Sequence, residues 1–191
     1  MIKLNDNLFK GVLTIGAYGR CGSGFLQSLL DGHPDTINFQ DSILSGYQDW
    51  WNLLKSYKGP YVMEDFLDLY QVIFDPTFKH PTREPPCASN EFGLITNLIG
   101  NSENGTEDIY VPREEFTRCL SQIINNNSEE TASSFFKKLH VALGFALDKP
   151  ITEKTLIVHG GTMGHPRRLA FLRSGFSNNF NLLMIREPVI G

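Results

Sequence analysis

The chain has 191 residues, 41% of them apolar and 12% aromatic, and a formal net charge of −4. That length holds one sizeable core and is short for two; a pI near 5.7 argues against nonspecific nucleic-acid binding, which needs a basic face, but leaves room for a local basic pocket. No apolar run reaches the roughly 20 residues of a membrane span, MIKLNDNLFKGV lacks the features of a secretory leader, and Cys21, Cys87 and Cys119 lie far apart with no CxxC, which indicates neither a disulfide framework nor a zinc site.

In chain order, Val12 to Ala17 is apolar, partly β-branched and bounded by glycines, the pattern of a buried strand. Gly24 to Leu30 follows as a helix with Phe25, Leu26, Leu29 and Leu30 on one face, stopped by Gly32 and Pro34. His33 closes that helix together with Pro34. Thr36 to Phe39 reads as a short second strand. From Asp41 to Asp148 the periodicity turns helical. Ile43, Leu44, Tyr47, Trp50, Trp51 and Leu54 recur at helical spacing, as do Phe66, Leu67, Tyr70, Ile73 and Phe74. These aromatics fit a core better than a sugar platform. Pro76 to Pro86 reads as a loop and Asn101 to Asp108 as a polar surface turn. Pro112 opens a helix with Glu114 and Glu115 in its first turn. A further helix starts at Ser128-Glu129-Glu130, with Ala132, Phe135, Phe136, Leu139, Leu143 and Ala146 inward.

Strand character returns at Thr155 to His159, which ends in Gly160-Gly161. Pro166 begins a short helix through Leu172, near the solvated arginines Arg167, Arg168 and Arg173. Asn181 to Ile185 is a last apolar strand, leading into Arg186-Glu187-Pro188. Strand, glycine turn, helix, helical insertion, then two strands joined by a helix is the order of a parallel α/β sheet with helices on both faces. A single domain over 1–191 is expected, with 42–150 as a helical insertion. Ligands of such sheets gather at the carboxyl ends of the strands. A cytoplasmic location, no transmembrane segment and no nucleic-acid partner complete the expectation.

Residues 11–34 carry the chemistry: GVLTIGAYGRCGSGFLQSLLDGHP. A strand that empties through a glycine turn into a helix start leaves backbone N–H groups and the positive helix end facing an anion. The turn does not match GxxxxGK[ST], because Cys21 stands where the second glycine belongs and no lysine follows Gly22. Nor does it match GxGxxG.

The run Arg20-Cys21-Gly22-Ser23-Gly24-Phe25-Leu26 followed by Leu29-Leu30-Asp31-Gly32-His33-Pro34 resembles the phosphosulfate-binding loop of PAPS-dependent sulfotransferases, in their carbohydrate and tyrosylprotein branches. PAPS is 3'-phosphoadenosine-5'-phosphosulfate. Asn181-Leu-Leu-Met-Ile-Arg186-Glu-Pro188 resembles the start of the family's second motif. The likeness covers both ends of the chain and not its helical middle. It implies a P-loop NTPase-like fold, PAPS as co-substrate, no metal, and a small-molecule, carbohydrate or peptide acceptor whose site the 42–150 insertion shapes.

On that resemblance the backbone of Cys21, Gly22, Ser23, Gly24 and Phe25 holds the 5'-phosphate. Arg20 neutralises charge at the bridging oxygen, and Arg186 holds the 3'-phosphate. A catalytic carboxylate of the tyrosylprotein branch falls on Asp41. His159 lies near the place of a catalytic lysine, and either a donor or a base role stays open for it. Gly24 departs from the family's threonine or serine. A serine expected about eight residues beyond Arg186 would fall past Gly191, so the resemblance implies a C-terminally truncated domain that is inactive alone. Two other classes remain open: a divergent nucleotide or small-molecule kinase, and a non-catalytic anion-binding module.

Overall fold

A computed structural model describes residues 8–17, 22–31, 33–39, 43–44, 46–54, 62–75, 111–124, 130–162 and 170–185. Among these residues four strands form one parallel sheet: β1 (Gly11–Ala17), β2 (Thr36–Ile37), β3 (Leu156–Thr162) and β4 (Asn179–Met184), in the order β2-β3-β1-β4. Six helices among the described residues accompany it: α1 (Ser23–Asp31), α2 (Tyr47–Leu54), α3 (Val62–Leu69), α4 (Arg113–Ile123), α5 (Ala132–Ala146) and α6 (Ala170–Gly175). A 3₁₀ turn, Gln71–Ile73, follows α3. The expected α/β parallel sheet is therefore present.

Register sets which side chains share a face. Val12, Thr14 and Gly16 lie beside Ile157, His159 and Gly161, and Ile37 lies beside Ile157. Neighbours in a parallel ladder point the same way. This row faces α5 and α6, because the Phe136 ring meets His159 at 5.5 Å and Phe171 at 5.1 Å. The alternate row, with Ile15 and Val158 buried, faces α1. Thr36 belongs to that row and donates its hydroxyl to the Leu30 carbonyl at the end of α1. Helices thus cover both faces: α1 on one, α5 and α6 on the other.

The core is aromatic and lies between the sheet and the helical segment. Trp50 is fully buried among Tyr47 (5.4 Å), Phe66 (5.5 Å), Tyr70 (5.9 Å) and Phe135 (5.9 Å). Edge-to-face and tilted pairs of this kind add to simple area burial. Two of the polar handles that dip into it are hydrogen-bonded. The Trp50 indole donates to Asp65 (2.9 Å) and the Tyr47 hydroxyl to the Ala132 carbonyl (2.7 Å). Trp50 and Trp51 are core residues, as the helical spacing suggested.

α5 starts on a good cap: Thr131 Oγ1 accepts from the Ser134 N–H at 3.1 Å. Just ahead of it, Glu130 pairs with Lys138, both nearly buried. α4 contributes Phe116, Leu120 and the free thiol of Cys119, which burial pushes up in pKa. α6 ends on a close approach. A Cβ built on Gly175 would stand 2.0 Å from Ser133 Cβ, so only glycine fits there while Ser133 stays in place.

β2 stops at Ile37 and β4 starts at Asn179, and two further boundaries and one helix face also differ from expectation. β3 runs on through Gly160 and Gly161 to Thr162, because β1 pairs with it along that whole length. α5 begins at Ala132, not at Ser128. α1 buries Gln27, with Leu26 and Leu30 half-buried, and turns Phe25 (65% exposed) and Leu29 (51%) outward. The physical reason for the last is a hydrogen bond: Gln27 Nε2 donates to the Phe39 carbonyl at 3.1 Å, so an amide can go inside.

Candidate functional site

The winding of the sheet locates a crevice. From β1 the chain goes by α1 towards β2; from β3 it goes by α6 towards β4, in the opposite lateral sense. Adjacent strands whose connections depart in opposite directions leave a gap outside their carboxyl ends. Those ends are Ala17 of β1 and Thr162 of β3, which are paired in register. Gly16 sits beside Gly161 one step below, so the rim carries no side chains at that step on the α5 side.

β1 ends at this rim with Ala17, and α1 starts at Ser23, just after Gly22. Gly22, at φ +86°, adopts the left-handed conformation that side chains disfavour. Its carbonyl accepts the first helical bond, from the Leu26 N–H at 3.0 Å. Ser23 is the first helical residue, half-buried, with Gly24 and Phe25 in the same turn. The N–H groups at the start of a helix have no partner four residues back. The first turn of α1 has no acidic residue to neutralise its positive end. Gly22, Ser23, Gly24 and Phe25 are thus brought together as one helix start at the carboxyl edge of a central strand.

His159 is placed differently. It sits in the middle of β3, level with Thr14 and three residues short of the rim, a depth of about 10 Å at strand rise. Its ring is 5% exposed and faces Phe136 on the α5 side, opposite α1. Burial pushes its pKa down to about 4, so the ring is neutral near pH 7. Arg20, Cys21, Asp41 and Arg186 lie outside the described residues, as do Arg167 and Arg168. Arg173 is described, in α6, and is exposed. His33 caps the end of α1: its N–H donates to the Leu30 carbonyl (3.1 Å), and its Nδ1 accepts from the Asp35 N–H (3.1 Å).

Gln27 and His140 are among the polar residues inside the fold that escaped sequence reasoning. Gln27 has just been described. His140 is 1% exposed on the inner side of α5, with its ring 4.4 Å from Phe136 and 5.0 Å from Phe39. Its position four residues after Phe136 and one after Leu139 marked it as inward-facing, had the apolar stripe been read without regard to polarity.

Among the described residues no group of three histidine, cysteine or carboxylate side chains could hold a metal ion. No helix there is long and apolar enough to cross a membrane. No family model matches the chain, and no curated protein or solved structure matches it.

Proposed function

We propose that the chain is a P-loop-like sulfotransferase domain that moves a sulfuryl group from PAPS to a hydroxyl or amine acceptor. The observation that carries this reading is Gly22: a left-handed glycine between the carboxyl end of a central parallel strand and a helix start without acidic residues. That arrangement suits a phosphate, and the sequence around it resembles the phosphosulfate loop.

In the proposed reaction the acceptor oxygen or nitrogen attacks sulfur as the bond from sulfur to the 5'-phosphate oxygen breaks. The leaving 3',5'-bisphosphoadenosine takes the electron pair. The acceptor's proton passes to a base, for which Asp41 is the candidate; the depth and burial of His159 fit packing better. Charge developing on the bridging oxygen is met by the helix start, Ser23 and Arg20, while Arg186 grips the 3'-phosphate. The chemistry is positioning and charge neutralisation, as in phosphoryl transfer.

The test is thermal shift and calorimetry with 3',5'-bisphosphoadenosine. Binding without Mg²⁺ is expected, weakened about tenfold or more in Arg20→Ala, which loses charge-assisted hydrogen bonds. No binding at millimolar ligand would overturn the reading. Mg²⁺-dependent binding of ATP in its place would point to a kinase instead.

A further inference from the structure

We propose that His140 and His159 form an acid-sensitive latch between α5 and the sheet. The two rings come from opposite sides of one interface: His140 from the inner side of α5, His159 from β3. Both are buried, and both pack against Phe136, His140 tilted at 4.4 Å and His159 edge-to-face at 5.5 Å. The Phe39 ring, just after β2, closes on His140 from the sheet side. His140 Nδ1 lies 2.8 Å from the Phe136 carbonyl. A carbonyl can only accept, so Nδ1 carries the proton and the neutral ring has its bare nitrogen at Nε2.

Among the described residues, no group around the pair would balance a charge. On α5, Lys138 is paired with Glu130, and Lys137 lies 4.8 Å over the Phe176 ring. β1 offers the Thr14 hydroxyl beside His159, and β4 offers the amide of Asn181 beyond it. α4 brings Cys119 and α2 brings Tyr47, both acids that burial keeps protonated. Arg173 of α6 is exposed. Among the described residues, no carboxylate acts on either ring. Protonation would therefore place two cations on one phenyl ring in an apolar layer.

Burial, and for His140 the neighbouring His159 as well, holds both rings below their ordinary 6.5, at about 3 for His140 and about 4 for His159. An opened state binds protons that the docked state refuses. Docking is at full strength above the unfolded value and weakens as pH falls from there towards the two folded values. Two ordinary histidines released together, against those folded values, raise the opening constant about 50-fold between about pH 6 and about pH 5; one alone gives about 8-fold.

The experiment is urea unfolding at those two pH values, followed by the fluorescence of Trp50 and Trp51, with amide exchange of α5 read alongside. Wild type is expected to show the larger change and His140→Phe or His159→Gln the smaller, with α5 amides exchanging faster at the lower pH after correction for intrinsic rates. Equal changes in wild type and variants, or unaltered α5 protection, would overturn the latch. Should the variants fail to fold, a ¹³C-imidazole titration of wild type decides: both rings stay neutral to about pH 5 if the latch exists, and a buried ring that titrates at its ordinary value refutes it.

Discussion

The layer under α5 and the strand at the other side of the sheet, β4, obey different rules. Beneath α5 the sheet residues Val12, Thr14, Ile157 and His159 are all buried, and an aromatic cluster continues the packing into α2 and α3. β4 is exposed on both faces: Phe180, Leu182 and Leu183 are each about two-fifths exposed, and Ile185 just beyond is 74% exposed. Parallel sheets are ordinarily covered on both sides. β4 is held chiefly by its ladder to β1, and the α5 layer chiefly by buried side chains. The contrast teaches that apolar sequence and burial are separate facts. Aromatic and β-branched side chains form the core, while an apolar run of phenylalanine and leucine in β4 faces water.

Mutations can sharpen or break that contrast. Trp50→Ala empties the centre of the aromatic cluster and abandons the hydrogen bond to Asp65; a loss of about 4 kcal/mol in urea unfolding is expected. Thr131→Ala removes the cap of α5 and is expected to cost about 1 kcal/mol in the same measurement. Leu182→Ser, on β4, is expected to change stability by less than about 0.5 kcal/mol. A cost above about 2 kcal/mol at Leu182 would mean that β4 is covered in solution and would break the comparison.

Much of this architecture was readable from residues alone, for identifiable reasons. β1 and α1 announced themselves because a β-branched run, a glycine turn and a Gly-x-Pro stop are local signals. The continuation of β3 through two glycines was not readable, since what makes them strand is the partner β1, 145 residues away in sequence and present only in the fold. The inner side of α1 was misread because hydrophobicity placed Phe25 and Leu29 inside. The carbonyl of Phe39, a tertiary partner, drew Gln27 in instead. At the candidate site, the turn at Gly22 followed from the glycine pattern. The depth of His159 did not, because it depends on where β3 ends.

The seat of Gly175 on Ser133 also limits how this chain can diverge. Any side chain at position 175 collides with Ser133 before it meets anything else. Substitution there becomes tolerable only after position 133 has itself lost its Cβ, and a glycine within α5 carries a helix penalty of about 1 kcal/mol. The two positions are therefore expected to change in a fixed order, with the costly helix mutation first, which makes the junction of α5 and α6 a slow-moving landmark in any lineage that keeps this fold.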